Sequence, residues 1–136
     1  MTLQGGATTF SNLTSLVAYK TGNLVVNTAH VNPVNGLDVL AVTNTAKMTF
    51  ANCITQNTEK VYLATGAQLK IGADGLVRVS RRTYLDGVVL SPGVYGKVGG
   101  TYPDGSAIPI RNQLSCLTGD GWLEVNGPKG LVLSFH

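Results

Sequence analysis

The feature of this sequence that most restricts its fold is a series of Asx-Gly dipeptides between short apolar segments. The dipeptides are Asn35-Gly36, Asp74-Gly75, Asp86-Gly87, Asp104-Gly105, Asp120-Gly121 and Asn126-Gly127. Glycine has no Cβ, and Asn and Asp tolerate the left-handed region, so each pair supplies the backbone angles that a tight turn needs. Turns that recur at short intervals between strand-forming segments predict an all-β domain.

The segments between these turns have the composition of β-strands, because Thr, Asn, Val and Leu dominate them. The predicted strands are 24–27, 37–42, 47–50, 61–63, 68–71, 76–80, 83–85, 88–90, 122–125 and 131–135. Only residues 13–20 show helical spacing of apolar side chains, and that segment is too short and too rich in Thr to predict a helix.

Two arrangements of these strands are compatible with the sequence. An Asx-Gly turn between alternating strands, clearest in residues 69–79, is a hairpin signal and on its own suggests an antiparallel β-sandwich. The other arrangement is a parallel β-solenoid (β-helix), in which each short strand stacks on the equivalent strand of the next coil. Short strands, abundant Thr and Asn, and an aromatic content of 7% favour the solenoid. We predict solenoid rungs over residues 1–80 and an irregular cap with β-hairpins over 81–136, within one continuous domain.

Residues 67–125 resemble the C-terminal part of secreted bacterial surface proteins that carry autotransporter-associated β-strand repeats. The matching phrases are residues 66–75, then Asp86-Gly87-Val88 followed by Pro92-Gly93-Val94-Tyr95, and the closing strand phrase 117–125. The loop at residues 99–112 is longer than this family leads us to expect. The resemblance implies a right-handed parallel β-helix with a C-terminal cap, in a protein that is extracellular or on the cell surface.

A solenoid leaves main-chain N–H and C=O groups unpaired at its ends, and this favours end-to-end stacking unless the ends are capped. The cap-like phrases lie in the last third of the chain, whereas the uncharged start contains Leu3, Thr8 and Phe10. We predict that these three residues form an assembly edge. The expected protein is a structural or adhesive surface component that forms a homo-oligomer or a polymer, with filaments as the extreme form.

The second prediction is a carbohydrate-binding or carbohydrate-cleaving module. Aromatic rings stack on sugars while polar and charged side chains bind hydroxyl groups, and Trp122, Tyr102, Arg81 and Arg82 are the candidates for such a site. A third prediction, tied to the antiparallel sandwich, is a viral capsid, pilin or decoration protein.

Catalysis is not the favoured interpretation of the acidic residues. Asp38 and Glu59 would stack on neighbouring coils if a coil had about 20 residues, and paired acids are what a polysaccharide lyase or glycosidase needs. However, four of the seven acidic residues directly precede glycine, where a turn already explains them. The sequence therefore favours a protein that is not an enzyme.

Other partners and cofactors find little support in the sequence. The net charge is +3, but among the basic residues only Arg78, Arg81 and Arg82 cluster, which is too few for a nucleic-acid interface. No apolar run approaches the roughly 20 residues of a membrane helix. No motif for a cofactor or a metal is present.

The two cysteines, Cys53 and Cys116, are far apart in the sequence and belong to no CxxC pair, so a zinc site is not predicted. They would form a disulfide in an oxidising compartment, or remain two free, buried thiols. Their apolar sequence contexts favour the free, buried state.

Overall fold

The computed structural model describes residues 2–5, 13–28, 36–51 and 53–126. Within these ranges the chain is all-β, as predicted, with one short 3₁₀ helix at Ile110–Asn112. The strands are β1 (Thr2–Gly5), β2 (Ser15–Ala18), β3 (Asn23–Thr28), β4 (Leu37–Val42), β5 (Lys47–Phe50), β6 (Thr55–Leu63), β7 (Gln68–Ile71), β8 (Leu76–Leu85), β9 (Val88–Val89), β10 (Gly93–Tyr95), β11 (Leu117–Thr118) and β12 (Trp122–Val125). In the described part of the chain, no helix has the length and apolar character needed to cross a membrane.

The strands form two sheets in which most neighbours run parallel. Sheet A has the order β1-β3-β5-β7-β11, and each of its pairs is parallel. Sheet B has the order β10-β12-β8-β6-β4-β2; its pairs are parallel except β10 with β12, and β9 adds an antiparallel pair with β8. The alternative prediction of an antiparallel β-sandwich is therefore wrong for the strand pairing.

Successive strands from β1 to β8 alternate between the two sheets. Neighbours in sheet A are offset by 24 residues between β3 and β5, where Val25 pairs with Thr49, and by 21 residues between β5 and β7, where Thr49 pairs with Lys70. The offset of 21 recurs in sheet B, where Thr55 on β6 pairs with Leu76 on β8. Parallel neighbours need a long crossover connection, and here the strand in the opposite sheet forms part of each crossover.

The regular offset is interrupted after β8. Leu76 on β8 pairs with Trp122 on β12, an offset of 46 residues. The added segment contains β9, β10 and the 3₁₀ helix, after which β11 and β12 extend the two parallel ladders. The irregular segment is therefore an insertion before the last strand of each parallel ladder.

One hydrophobic core contains residues from both sheets. Leu16, Leu40 and Val61 occupy equivalent positions on β2, β4 and β6, and all three are buried. Phe50 on β5 and Ile71 on β7 pair in the same way in sheet A. Successive side chains of a strand point to opposite faces of the sheet. Buried and exposed residues therefore alternate in these strands, and the apolar set of each strand faces inward.

The Asx-Gly dipeptides at residues 74–75 and 86–87 lie in two different kinds of turn. Asp86 and Gly87 both have positive φ, 50° and 83°, and form the two-residue turn that joins β8 to β9 in an antiparallel pair. Asp74 also has positive φ, 60°, but the strands on either side of it, β7 and β8, belong to different sheets. The hairpin suggested for residues 69–79 is therefore wrong: β7 pairs with β5 and β11 instead.

Candidate functional site

A groove of about 700 Å³ lies on the outer face of sheet B. Its base contains Thr55, Leu76 and Trp122, which occupy equivalent positions on β6, β8 and β12. The 99–107 loop, closed by a bridge between Thr101 and Ala107, forms the opposite side. The remaining lining residues are Asp74, Gly75, Val94, Tyr102, Pro103, Asp104 and Glu124.

The structure brings two of the predicted sugar-binding residues, Trp122 and Tyr102, into this groove. The indole Nε1–H of Trp122 donates to the carbonyl of Thr101 at 2.9 Å. The hydroxyl of Tyr102 donates to the carbonyl of Val94 at 3.0 Å. Both polar atoms are thus used within the protein, so the rings are what these residues can offer to a ligand.

The other two predicted sugar-binding residues, Arg81 and Arg82, do not line the groove, so the structure does not bring them together with Trp122 and Tyr102. The Nε atom of Arg81 lies 3.9 Å from a carboxylate oxygen of Glu59. Arg82 lies level with Lys60 of β6, further along β8. Because β8 continues to Leu85, both arginines project from its second half, beyond the part that pairs with β12.

The carboxylates of Asp74, Asp104 and Glu124 surround the groove, and none of them is among the four candidate residues predicted for the sugar site. Glu124 is paired with Arg78, whose Nε lies 2.9 Å from Oε2 of the glutamate. Oδ1 of Asp104 accepts hydrogen bonds from the amide and hydroxyl of Ser106, which hold the pKa of Asp104 below its usual value. Within the described residues, neither Asp104 nor Asp74 forms a salt bridge.

The groove carboxylates do not form a metal site. Among the described residues, no group of three or more His, Cys, Asp or Glu side chains is placed to hold a metal ion. The carboxylate oxygens of the groove are therefore separate hydrogen-bond acceptors, and they surround a floor that contains Leu76 and Trp122.

The acids considered for catalysis lie outside the groove. The register pairs of Leu37 with Thr58 and of Val39 with Lys60 place Asp38 level with Glu59, as their 21-residue spacing predicts. Glu59 has Arg81 as its charged neighbour.

The predicted assembly edge is only partly within the described chain. Leu3 lies in β1, the terminal strand of sheet A, level with Val26 of β3. Thr8 and Phe10 lie outside the described residues. At the same end of the molecule β2 is the terminal strand of sheet B, and Val17 on it is exposed.

The opposite end of sheet B is covered by side-chain and main-chain groups of the inserted segment. The carbonyl of Val94 on the terminal strand β10 accepts hydrogen bonds from Nδ2 of Asn112 at 2.9 Å and from Tyr102. The amide of Gly96 donates to the carbonyl of Asn112 at 3.0 Å, and Leu114 donates back to Gly96 at 3.0 Å. The end formed by β10 thus has hydrogen-bonding partners beyond its ladder.

An apolar row lies on the outer face of sheet B, away from the groove. Val17, Ala41, Tyr62 and Tyr84 occupy equivalent positions on β2, β4, β6 and β8. The rings of Tyr62 and Tyr84 are stacked, with centroids 5.0 Å apart and planes 6° from parallel. This contact follows from the 22-residue offset that the β6–β8 pair has after its register shift, an irregularity the sequence does not reveal.

Both cysteines are free thiols. Cys116 is buried, as predicted, and burial raises the pKa of its thiol to about 11. Cys53 is exposed, so its predicted burial is wrong: it lies in a turn with φ of 63°. The disulfide considered as an alternative is not formed.

This difference predicts unequal reactivity of the two thiols. A thiol reagent such as Ellman's reagent is expected to modify Cys53 rapidly in the native protein, and Cys116 only after unfolding, because the thiolate is the reactive form. Cys53→Ser should abolish the fast reaction. If the native, unreduced protein has no titratable thiol and the reduced protein has two, the cysteines are bridged instead.

Comparisons with known proteins do not assign this chain to a family. No family model, no curated protein and no solved structure matches the chain.

Proposed function

We propose that this chain is a right-handed parallel β-helix with a structural or adhesive role, which associates with a second copy of itself through the end formed by β1 and β2. The alternation of strands between two sheets, with offsets of 21 and 24 residues, supports the β-helix. The right-handed sense is the one that nearly all crossovers between parallel strands adopt.

The observation that carries the proposal is the difference between the two ends of sheet B. At the β2 end, the carbonyls of Thr14 and Ala18 accept hydrogen bonds from amides of Asp38 and Thr43 at 2.7 and 3.1 Å. Alternate residues of a parallel strand direct their N–H and C=O groups to opposite sides. The main-chain groups of Ser15 and Val17 therefore point away from β4. Within the described residues, no strand pairs with that side of β2.

The closed β10 end supports association through one end only. A filament needs two exposed ends that complement each other, whereas the Val94 carbonyl at the far end already has two donors. Two molecules that meet through their β2 ends are related by a twofold axis, and such an axis pairs β2 with its copy in antiparallel orientation. An edge strand with unpaired main-chain groups is a template for this kind of pairing.

The proposed extracellular or surface location rests on the resemblance of residues 67–125 to autotransporter-associated repeats. The proposed role includes no catalysis, because it uses main-chain groups at a sheet edge and requires no reactive side chain.

The test is the oligomeric state of two variants at one position. Val17→Pro removes an N–H that points outward and leaves the hydrogen bonds between β2 and β4 in place; Pro is tolerated on edge strands for this reason. We expect the unmodified protein to dimerise with increasing concentration in analytical ultracentrifugation, and Val17→Pro to remain monomeric. Val17→Thr, which keeps the N–H and β-branching, should dimerise like the unmodified chain.

Three outcomes would contradict the proposal. An unmodified protein that stays monomeric at high concentration has no such interface. If Val17→Thr also prevents dimerisation, the interface is the apolar row of Val17 and Tyr62, not the main-chain edge. Long polymers in electron micrographs would show that the β10 end also associates. Circular dichroism of each variant checks that the fold is retained.

A further inference from the structure

We infer that the groove between sheet B and the 99–107 loop binds a hydroxyl-rich glycan that carries no acidic groups. This inference does not depend on self-association, because the groove lies near β12 and the proposed interface is at β2, at opposite ends of sheet B.

The size and surface of the groove suit a short oligosaccharide. Ligand sites usually have volumes of about 300–1,000 Å³ and are mostly apolar with a few polar groups, and this groove has about 700 Å³. Leu76, Pro103 and the rings of Tyr102 and Trp122 supply its apolar surface. A smaller cavity of about 350 Å³ shares Asp74, Tyr102 and Trp122 with it, so a longer chain has space to continue.

The aromatic residues can contribute ring contacts but few hydrogen bonds. The polar atoms of Trp122 and Tyr102 are already bonded to the Thr101 and Val94 carbonyls. Sugars present C–H groups that pack against aromatic surface, together with hydroxyl groups that need polar partners. The polar recognition must therefore come from other residues of the groove.

The carboxylates are the groups that can provide it. Glu124 is neutralised by Arg78, whereas Asp74 and Asp104 have no cationic partner among the described residues. A carboxylate accepts hydrogen bonds, and those from hydroxyl groups to an ionised acceptor are strong. The same two charges repel a uronate or a sulfate. The groove therefore fits neutral sugars or amino sugars, and disfavours acidic polysaccharides.

The sequence contains a single tryptophan, Trp122, so its fluorescence reports directly on the groove. The full chain is titrated with cello-, xylo-, manno- and chito-oligosaccharides, and with oligogalacturonate as the acidic counterpart. We expect at least one of the non-acidic oligosaccharides to shift the emission of Trp122 and to protect it from acrylamide quenching. Oligogalacturonate should have no effect.

The matched variants remove charge and preserve shape. Asp74→Asn is compatible with the positive φ of 60° at that position, and Asp104→Asn keeps the oxygen that accepts from Ser106. The double variant is expected to bind the responding oligosaccharide at least about tenfold more weakly, the effect of losing one charge-assisted hydrogen bond. Asp38→Asn, which removes an exposed carboxylate outside the groove, should bind like the unmodified chain.

Several results would overturn the inference. They are no response of Trp122 to any non-acidic oligosaccharide in the panel, equal binding of oligogalacturonate, and unchanged affinity of the double variant. A response to a lysine-rich peptide without any response to sugars would identify the groove as a peptide site instead. Thermal unfolding of each variant, compared with the unmodified chain, separates loss of binding from loss of fold.

Discussion

Replacing Gly121 with Ala is expected to lower the free energy of unfolding by about 3 kcal/mol, because the added methyl group has no space. A Cβ at this position would lie 2.6 Å from the carbonyl oxygen of Gly72 and 2.7 Å from that of Gly75, and closer still to the side chain of Ile71. Two of the three neighbours are main-chain atoms. The amide of Gly121 also donates to the Ile71 carbonyl at 2.8 Å, which fixes the approach of the two segments.

The control is Gly105→Ala, also in an Asp-Gly dipeptide. Gly105 has φ of +87°, and a Cβ there would meet nothing within 4 Å. Its substitution should cost only the strain of a left-handed L-residue, about 1 kcal/mol. Urea denaturation of both variants measures the difference. Equal losses would mean that residues 71–75 and 121 do not pack as closely as described.

The contrast between these glycines shows what the sequence could and could not predict about turns. The Asx-Gly dipeptides at 74–75, 86–87 and 104–105 lie in turns, as predicted, but the dipeptide alone does not reveal why each glycine is needed. Gly87 is required for its positive φ in a hairpin, whereas Gly121 is required because the backbone of residues 72–75 lies against it. A close approach of this kind depends on residues about fifty positions away, and no local pattern contains that information.

The strands themselves were predictable where apolar and polar residues alternate. The predicted bounds 37–42, 47–50, 68–71 and 122–125 match β4, β5, β7 and β12. The first part of β6 was missed, because Gln56 and Thr58 are polar yet face inward and are buried. Their strand conformation is supported by pairing with β8, where Val77 and Val79 lie at the same levels.

The candidate groove was only half predictable. Trp122 and Tyr102 were identified because aromatic residues concentrate in the last third of the chain. The 99–112 loop was noted only as longer than the resembled family leads one to expect, and part of it lines the groove. The carboxylate of Asp74 was assigned to a turn, which is correct but incomplete, since it also lines the groove. Arg81 and Arg82 were included because they are near in number to Tyr84, and the direction of β8 places them elsewhere.

Thr83→Val is expected to raise the free energy of unfolding by about 1 kcal/mol. Thr83 is fully buried, and its hydroxyl has no hydrogen-bond partner among the described residues. It pairs with Val61 at the end of a row in which the other members, Leu16 and Leu40, are apolar. A buried hydroxyl without a partner loses its hydration and gains nothing in exchange. Valine has nearly the same shape and continues the apolar row.

Thr58→Val is the matched control, because it makes the same chemical change at a second buried threonine of the same sheet. The hydroxyl of Thr58 donates to the carbonyl of Lys60 at 3.3 Å, so its removal should be neutral or destabilising by up to about 1 kcal/mol. Urea denaturation at neutral pH compares the two variants with the unmodified chain. If both variants gain stability equally, added apolar surface explains the effect. If Thr83→Val loses stability, the hydroxyl of Thr83 in the unmodified chain has a partner, such as a buried water. The apolar row then ends at Val61 because position 83 needs a hydroxyl to bind that partner.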